Sequence, residues 1–585
     1  MARTLRPSTS GPSNTAPAAP SAAVDTPRLA SGETRLVAAL IAFTLLASCV
    51  PYALGYFLAP VMGRGGAMFI GTPYNIDDYC NYLSWLRQMA DGHFFIHNLF
   101  TTDPQKDIEF NVFFWLLGRI MDVTGCSPQA VLQFARVAGG LGLLVLLYRF
   151  YRYCLPEDAP ARLTAFGFAC LSSGLGWLVW PRWRDKNLNG GPIDAWQPEA
   201  YTFLSLYTSA LMTVSTLLIL GALYALLLGE RTGRWKYAVI AGVCGGVLGN
   251  MHSYDVLHLA AAWGLFLIVL TILRHGQGMA PRWGRGILAL ALSAPTTLYV
   301  AYMYKVEAVF QKRANVPTLS PAFWHYALGY GVVFALACVG VWLVAWQMRQ
   351  VKAVAPERLL PPSPLLLAAC WAVGGFLIAY FPMAFQRKMI MGEHLPLCLL
   401  AGLGAAWLVR TYVPARAASW ALAGVVLLSA PSNALFLERD MRHLTQNRSE
   451  THLPPFLDKS LVDVYAWFRT NTPADAKVVG LPGLCTYLPG ETGRAVWAGH
   501  WAETPEYAEK DHQFADAFDA QTPPADREAF LKSTGAQYLF YPNDLSHASF
   551  KRRDGIHHWV ELSAAPAPYL KPVYKNDLFT IYEIR

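Results

Sequence analysis

The chain of 585 residues is 54% hydrophobic and only 15% charged, with a positive mean hydropathy and a formal net charge of +8. A soluble globular chain carries about a quarter charged residues, so the composition argues against an ordinary soluble enzyme, and cytoplasmic loop arginines and lysines facing anionic lipid account for the excess charge without nucleic acid. The ten cysteines include no CxxC pair, and neither a P-loop nor a GxGxxG behind a strand occurs, which speaks against a disulfide framework, a zinc knuckle and a nucleotide-driven reaction.

Residues 1–34 are rich in Ser, Pro, Ala and Thr and read as a disordered cytoplasmic tail, not a signal peptide. Residues 35–437 then alternate apolar stretches with polar connections. A bilayer crossing needs roughly 20 apolar residues, and eleven candidate spans fall at 36–58, 128–148, 163–180, 202–228, 237–251, 256–273, 287–304, 326–346, 364–383, 395–409 and 417–437. Alternate connections carry Arg28 and Arg35, Arg149, Arg152 and Arg162, Arg231, Arg234 and Lys236, Arg274, Arg282 and Arg285, Arg349, Lys352 and Arg358, then Arg410 and Arg416. These connections are short and basic, which assigns them to the cytoplasm and the opposite set to the outer face of a plasma or inner membrane.

The first outward segment, 59–127, contains Asn75-Ile76-Asp77-Asp78-Tyr79, two adjacent carboxylates opening an amphipathic helix with Tyr79, Tyr82, Leu83 and Leu86 on one stripe. Acids at a helix N-terminus also satisfy capping and the helix dipole. A second, short helix is expected at 110–123, before the next crossing. An acidic pair just outside the first crossing, a helix ending in Asp91-Gly92, a lateral helix and then a crossing resemble the first external loop of the GT-C membrane glycosyltransferases. That resemblance implies transfer of a sugar from a polyprenyl-phosphate carrier on the outer face, with an Asp of this loop as general base or metal-bound acid. The family's Asp-Glu is Asp-Asp here, so either Asp77 or Asp78 fills the catalytic role, and Mg²⁺ or Mn²⁺ would bind through one of them.

Other polar clusters lie on the same expected face. His252 and Asp255 sit at a tight turn between two crossings, and Glu307 follows Lys305 on a loop that also holds Lys312 and Arg313 and reads as a lid. Arg387, Lys388 and His394 join two crossings, and cations there suit the phosphate of a departing polyprenyl carrier, Arg through its bidentate fork and Lys as a point charge. The same residues would also anchor lipid headgroups. His93 and His97 stand four apart, but no HExxH or cysteine partner completes a metal site.

From 438 to 585 the sequence becomes polar and mixed. A helix at 461–470, strands at 477–481, 537–541 and 579–584, and helices at 505–519 and 525–533 predict a small extracytoplasmic α/β domain. In it Arg494, His500 and Trp501 read as turn and packing residues, or as acceptor contacts through an aromatic face and fixed polar groups. The expectation is a GT-C-like membrane transferase acting on an envelope glycan, lipid or protein acceptor. The rival readings are a lipid-linked glycan flippase, which would line a path through the bilayer with polar groups, and a non-catalytic scaffold for envelope assembly. With single cysteines introduced for maleimide labelling in intact cells, a label in 231–236 is expected to be shielded and one near Asp511 accessible; outward labelling of 231–236 would invert the topology.

Overall fold

The structure, a computed structural model, describes residues 31–63, 66–179, 191–314, 316–354, 364–545, 548–552, 555–562 and 567–585. The expected tail lies outside these residues except for 31–34, which begin the first helix, Ser31–Leu58. Residues 180–190 of an expected outward connection and Arg358 of a basic one also lie outside.

Each of the eleven apolar stretches contains helix, and among the described residues eight helices are long and apolar enough to cross a membrane. Ala159–Leu171 and Pro364–Ala379 are shorter apolar helices. The 202–228 stretch is two helices, Thr202–Thr208 and Ala210–Thr232, because Ser209 takes an extended backbone and its hydroxyl accepts the Met212 N–H. The last stretch likewise divides into Ala415–Leu428 and Pro431–Thr445, the proline opening the second helix where no intrahelical N–H is needed.

Helices in lipid gain little from burying one apolar surface on another, so close approach through small residues holds them together. His394–Tyr412 shows this on two sides. A Cβ at Gly402 would stand 2.5 Å from the Ala161 carbonyl, one at Gly404 2.3 Å from the Leu336 carbonyl, and one at Gly340 2.2 Å from the Leu400 carbonyl. Three helices thereby meet backbone to backbone. Basic residues from the expected cytoplasmic set are tied by buried ion pairs: Arg162 to Glu33 at 2.6 Å, and Arg282 and Arg285 to Glu230 at 2.7 and 2.6 Å.

The first long loop and the region after the last bundle helix form one body. Strand β1 (Ala67–Phe69) pairs antiparallel with β2 (Phe456–Asp458). Beyond it lie β3 (Lys477–Gly480), β4 (Ala495–Val496), β5 (Tyr538–Pro542), the hairpin β6 (Ser549–Arg552) and β7 (Gly555–His558), then β8 (Leu570–Lys575) and β9 (Phe579–Ile584). A five-stranded sheet runs β4-β3-β5-β9-β8, with β3 parallel to both its neighbours and the β5–β9 and β8–β9 pairs antiparallel. Helices Lys459–Asn471, Tyr507–Ala517 and Pro524–Ser533 accompany it. Ile76, Leu83, Leu86 and Phe114 of the loop share one buried core with Leu461, Val464, Phe468 and Leu488.

The glycine seams carry a testable consequence. Gly404→Leu drives a side chain into the Leu336 backbone and is expected to cost about 1–3 kcal/mol or more, whereas Gly424→Leu, where a Cβ meets nothing within 4 Å, is expected to be close to neutral. Melting temperatures of the two variants in detergent read the difference, and equal melting would remove the role given to the seam.

Candidate active site

The helix Ile76–Ala90 starts from Asn75, whose φ of 54° and ψ of 53° lie in the left-handed region that Asn tolerates better than most residues. Successive helical residues point about 100° apart, so the two carboxylates that follow meet different surroundings. Asp77 turns inward and is buried; its Oδ2 accepts the Trp501 indole N–H at 2.6 Å, and its Oδ1 is buried with no hydrogen-bond partner among the described residues. Burial, reinforced by the Asp78 charge, pushes the Asp77 carboxyl above the usual aspartate range.

Asp78 is the more open of the two, its side chain 40% exposed. Its Oδ2 accepts the Asn75 side-chain amide at 2.6 Å, and its Oδ1 lies 3.3 Å from His500 Nε2. Desolvation acts upward on this carboxyl too, but the His500 bond and charge, Lys388 and Asn75 outweigh it and bring it down to about 2. His500 is buried with a fixed ring. The Ala502 and Glu503 backbone N–H groups donate to its Nδ1 at 3.0 and 3.2 Å, which leaves the ring proton on Nε2, facing Asp78.

These groups open onto a cavity of about 950 Å³. Asp77, His500, Trp501 and Glu450 line it together with Trp196, His325, Arg387 and Arg439. Arg387 Nε is 3.2 Å from Glu199 Oε1, and its guanidinium lies 5.1 Å over the Trp196 ring. Arg439 is held by Asp440 at 2.9 Å and donates to the Ala195 carbonyl at 3.2 Å. The two guanidiniums therefore flank one turn, Ile193–Ala195 and Trp196. Glu450 faces the same space with its carboxyl pushed up to about 8 by burial and then by the Asp440 charge. Thr318 and Leu319 of the expected lid also line the cavity, and the Arg387 N–H donates to the Thr318 carbonyl at 3.0 Å.

The expected residues divide sharply. Asp77, Arg387, His500 and Trp501 line the cavity, with Asp78 bound to its wall and Lys388 close enough to act on Asp78. His394 is instead buried in the bundle, within 2.9 Å of the Thr202 hydroxyl and 3.0 Å of the Ser172 hydroxyl, and it does not line the cavity. His252 and Asp255 form a buried pair at 2.7 Å behind Tyr254, the ring over which Lys388 lies at 5.4 Å. Glu307 accepts the Lys106 backbone N–H at 3.2 Å and joins two loops. Arg494 donates to the Thr472 and Arg469 carbonyls, closing the end of the helix Lys459–Asn471 away from the cavity. Lys312 is paired with Glu506 at 2.7 Å, tying the lid to the C-terminal domain. His97 is 2.6 Å from Asp107, and Cys80 and Cys126 are free thiols.

Among the described residues no group of three or more His, Cys, Asp or Glu is placed to hold a metal ion, so the divalent-cation expectation has only the Asp77–Asp78 pair to rest on. Sequence reasoning missed Glu450, Arg439, Trp196 and His325. The run Arg448-Ser449-Glu450-Thr451-His452 directly after the last bundle helix was the available signal.

No family model matches the sequence, and no curated protein matches it. Among solved structures it is similar to the oligosaccharyltransferase of Archaeoglobus fulgidus in its apo form, at 12% identity and a TM-score of 0.52 over 87% of this chain and 70% of that one. It is similar also to AglB of the same organism in complex with an inhibitory peptide and a dolichol-phosphate, at 12% identity and a TM-score of 0.50 over 92% of this chain and 76% of that one. A third is the arabinofuranosyltransferase AftD from Mycobacteria, at 14% identity and a TM-score of 0.51, covering 96% of this chain but 40% of that one. The chain shares its fold with these structures.

The Trp501–Asp77 bond predicts a pH shift. The indole N–H favours ionised Asp77, so Trp501→Phe raises the pKa further and the protonated carboxyl persists to higher pH. Loss of one hydrogen bond to a charged group, about 1.5–3 kcal/mol, corresponds to roughly one to two pH units. Infrared difference spectra of the protonated carboxyl band against Asp77→Asn measure it, and an unmoved midpoint would show that the bond does not control Asp77.

Proposed function

We propose that the protein is a membrane glycosyltransferase that moves a sugar from a polyprenyl-phosphate-linked donor to a hydroxyl of a glycan, lipid or protein acceptor on the outer face of a cell membrane. The observation that carries this reading is the single cavity in which a buried carboxylate with an upward-shifted pKa shares its walls with two arginines. The fold agrees with it, since neighbours of the same architecture include an oligosaccharyltransferase crystallised with dolichol-phosphate and an arabinofuranosyltransferase.

The chemistry asks for a base at the acceptor and for cations at the leaving group. The acceptor oxygen attacks the anomeric carbon and loses its proton to Asp77, while the bond from that carbon to the phosphate oxygen breaks and its electron pair leaves with the polyprenyl phosphate. A base acts best when its pKa lies toward the working pH, which favours Asp77 over Asp78, held down to about 2 by His500 and Lys388. Asp78 and His500 fix the acidic wall. Arg387, with Lys388 and Arg439, receives the charge that develops on the phosphate. A divalent cation, where one takes part, would be held by Asp77 or Asp78 and would supply positive charge to the departing phosphate.

Asp77→Asn is expected to leave a folded protein and to lower transfer by about a hundredfold or more, read by mass spectrometry of envelope glycans from cells complemented with each variant. Arg387→Ala is expected to weaken polyprenyl phosphate binding in nanodiscs about tenfold, with Arg387→Lys restoring part because the fork is lost. Wild-type transfer by Asp77→Asn, Asp78→Asn and the double variant would overturn the reading.

A further inference from the structure

The carboxylate helix has an unusual start. Asn75 stands before it in left-handed backbone, and its side chain does not cap the helix but donates to Asp78. A non-glycine residue in this region is strained and persists where its surroundings hold it. What holds Asn75 lies 375 residues away in sequence: its backbone N–H donates to Glu450 Oε1. Glu450 belongs to the short stretch between the last bundle helix and β2, which is itself locked. Ile70 N–H donates to the Pro455 carbonyl at 3.0 Å, Phe456 N–H to Asn447 Oδ1 at 3.1 Å, and the Ser449 hydroxyl to the Leu453 carbonyl at 2.8 Å. The second Glu450 oxygen, Oε2, is buried with no hydrogen-bond partner among the described residues, in a side chain that lines the cavity.

We propose that Glu450 is a positioning residue for the carboxylate pair: by anchoring the Asn75 N–H it fixes the turn that presents Asp78 to His500 and Asp77 to Trp501. This rests on the reading of Asp77 as the base of the transfer. Without an acceptor at Glu450, the Asn75 N–H loses its partner and the left-handed turn loses its support. The Asn75 amide then leaves Asp78, and the first helical turn shifts against Trp501. A displacement of about 1 Å at a reacting group can cost up to about a hundredfold in rate. The contact uses Glu450 Oε1 as acceptor. Gln is therefore its close mimic, with a carbonyl oxygen at the same reach.

The test uses the full-length protein, with polyprenyl phosphate as the binding probe in nanodiscs and envelope glycans of complemented cells as the measure of transfer. Glu450→Ala is expected to lower transfer about tenfold to a hundredfold with polyprenyl phosphate binding unchanged, and Glu450→Gln to restore most of it. A merely structural role would lower binding and transfer together. If Glu450→Ala does not fold, Glu450→Asp, one methylene too short to reach Asn75, is expected to show the same split. Wild-type transfer by the folded Ala variant, or by Asp in its place, overturns the inference, and so does failure of Gln to restore. If in addition Asp77→Asn is inactive, the reading of Asp77 stands and only the role of Glu450 falls; an active Asp77→Asn overturns both.

Discussion

The architecture depends on one junction, the union of the first long loop with the segment that follows the last bundle helix. Residues separated by most of the chain meet there through three kinds of contact. Strand β1 pairs with β2, the Asn75 N–H reaches Glu450, and the Trp501 indole reaches Asp77 across 424 residues of sequence. A shared apolar core from Ile76 and Leu83 to Val464 and Phe468 joins the same two segments beneath these polar contacts, so the junction is held by both. The bundle supplies the other half: its helices set where the Trp196 turn, Arg387 and Arg439 stand, and the cavity is the space between the two halves.

The two neighbouring carboxylates show how position divides their chemistry. They share a helix turn, yet Asp77 is buried against an indole and pushed upward, while Asp78 faces His500 and Asn75 and is held down to about 2. Two acids driven apart in this way can hold different protonation states at one pH. His500 owes its part to backbone: two N–H groups occupy Nδ1 and leave Nε2–H for Asp78. Asp77 Oδ1 stays buried with no hydrogen-bond partner among the described residues.

The arginines of the cavity are built differently. Each is matched by a carboxylate, Arg387 by Glu199 and Arg439 by Asp440, and each lies against an aromatic ring. These pairs and rings fix the orientation of both guanidiniums at the cavity wall, and removing the carboxylate of either pair would leave its arginine without that partner.

Much of the membrane architecture was legible in the sequence, because hydrocarbon admits only apolar helices with internally satisfied backbones. Every expected apolar stretch contains helix, and the three expected strands of the C-terminal region are β3, β5 and β9. The Asp77–Asp78 helix was legible from its amphipathic stripe, and Arg387 from its place between two crossings. The short strands β1, β2 and β4 and the glycine seams were not, since each is fixed by a partner elsewhere in the chain; the breaks at Ser209 and Ala430, set by the Ser209 hydroxyl and by Pro431, are local and were missed. So was the membership of the site. His394, His252, Asp255, Glu307 and Arg494 carry the right chemistry but spend their hydrogen bonds within the scaffold, whereas Glu450 and Arg439 reach the cavity. Sequence by itself determined where the apolar helices lie and which side chains carry reactive chemistry, because hydropathy and side-chain type are local properties. The tertiary structure alone decided which of those side chains face one another, because a hydrogen bond between residues hundreds of positions apart leaves no periodicity in the chain.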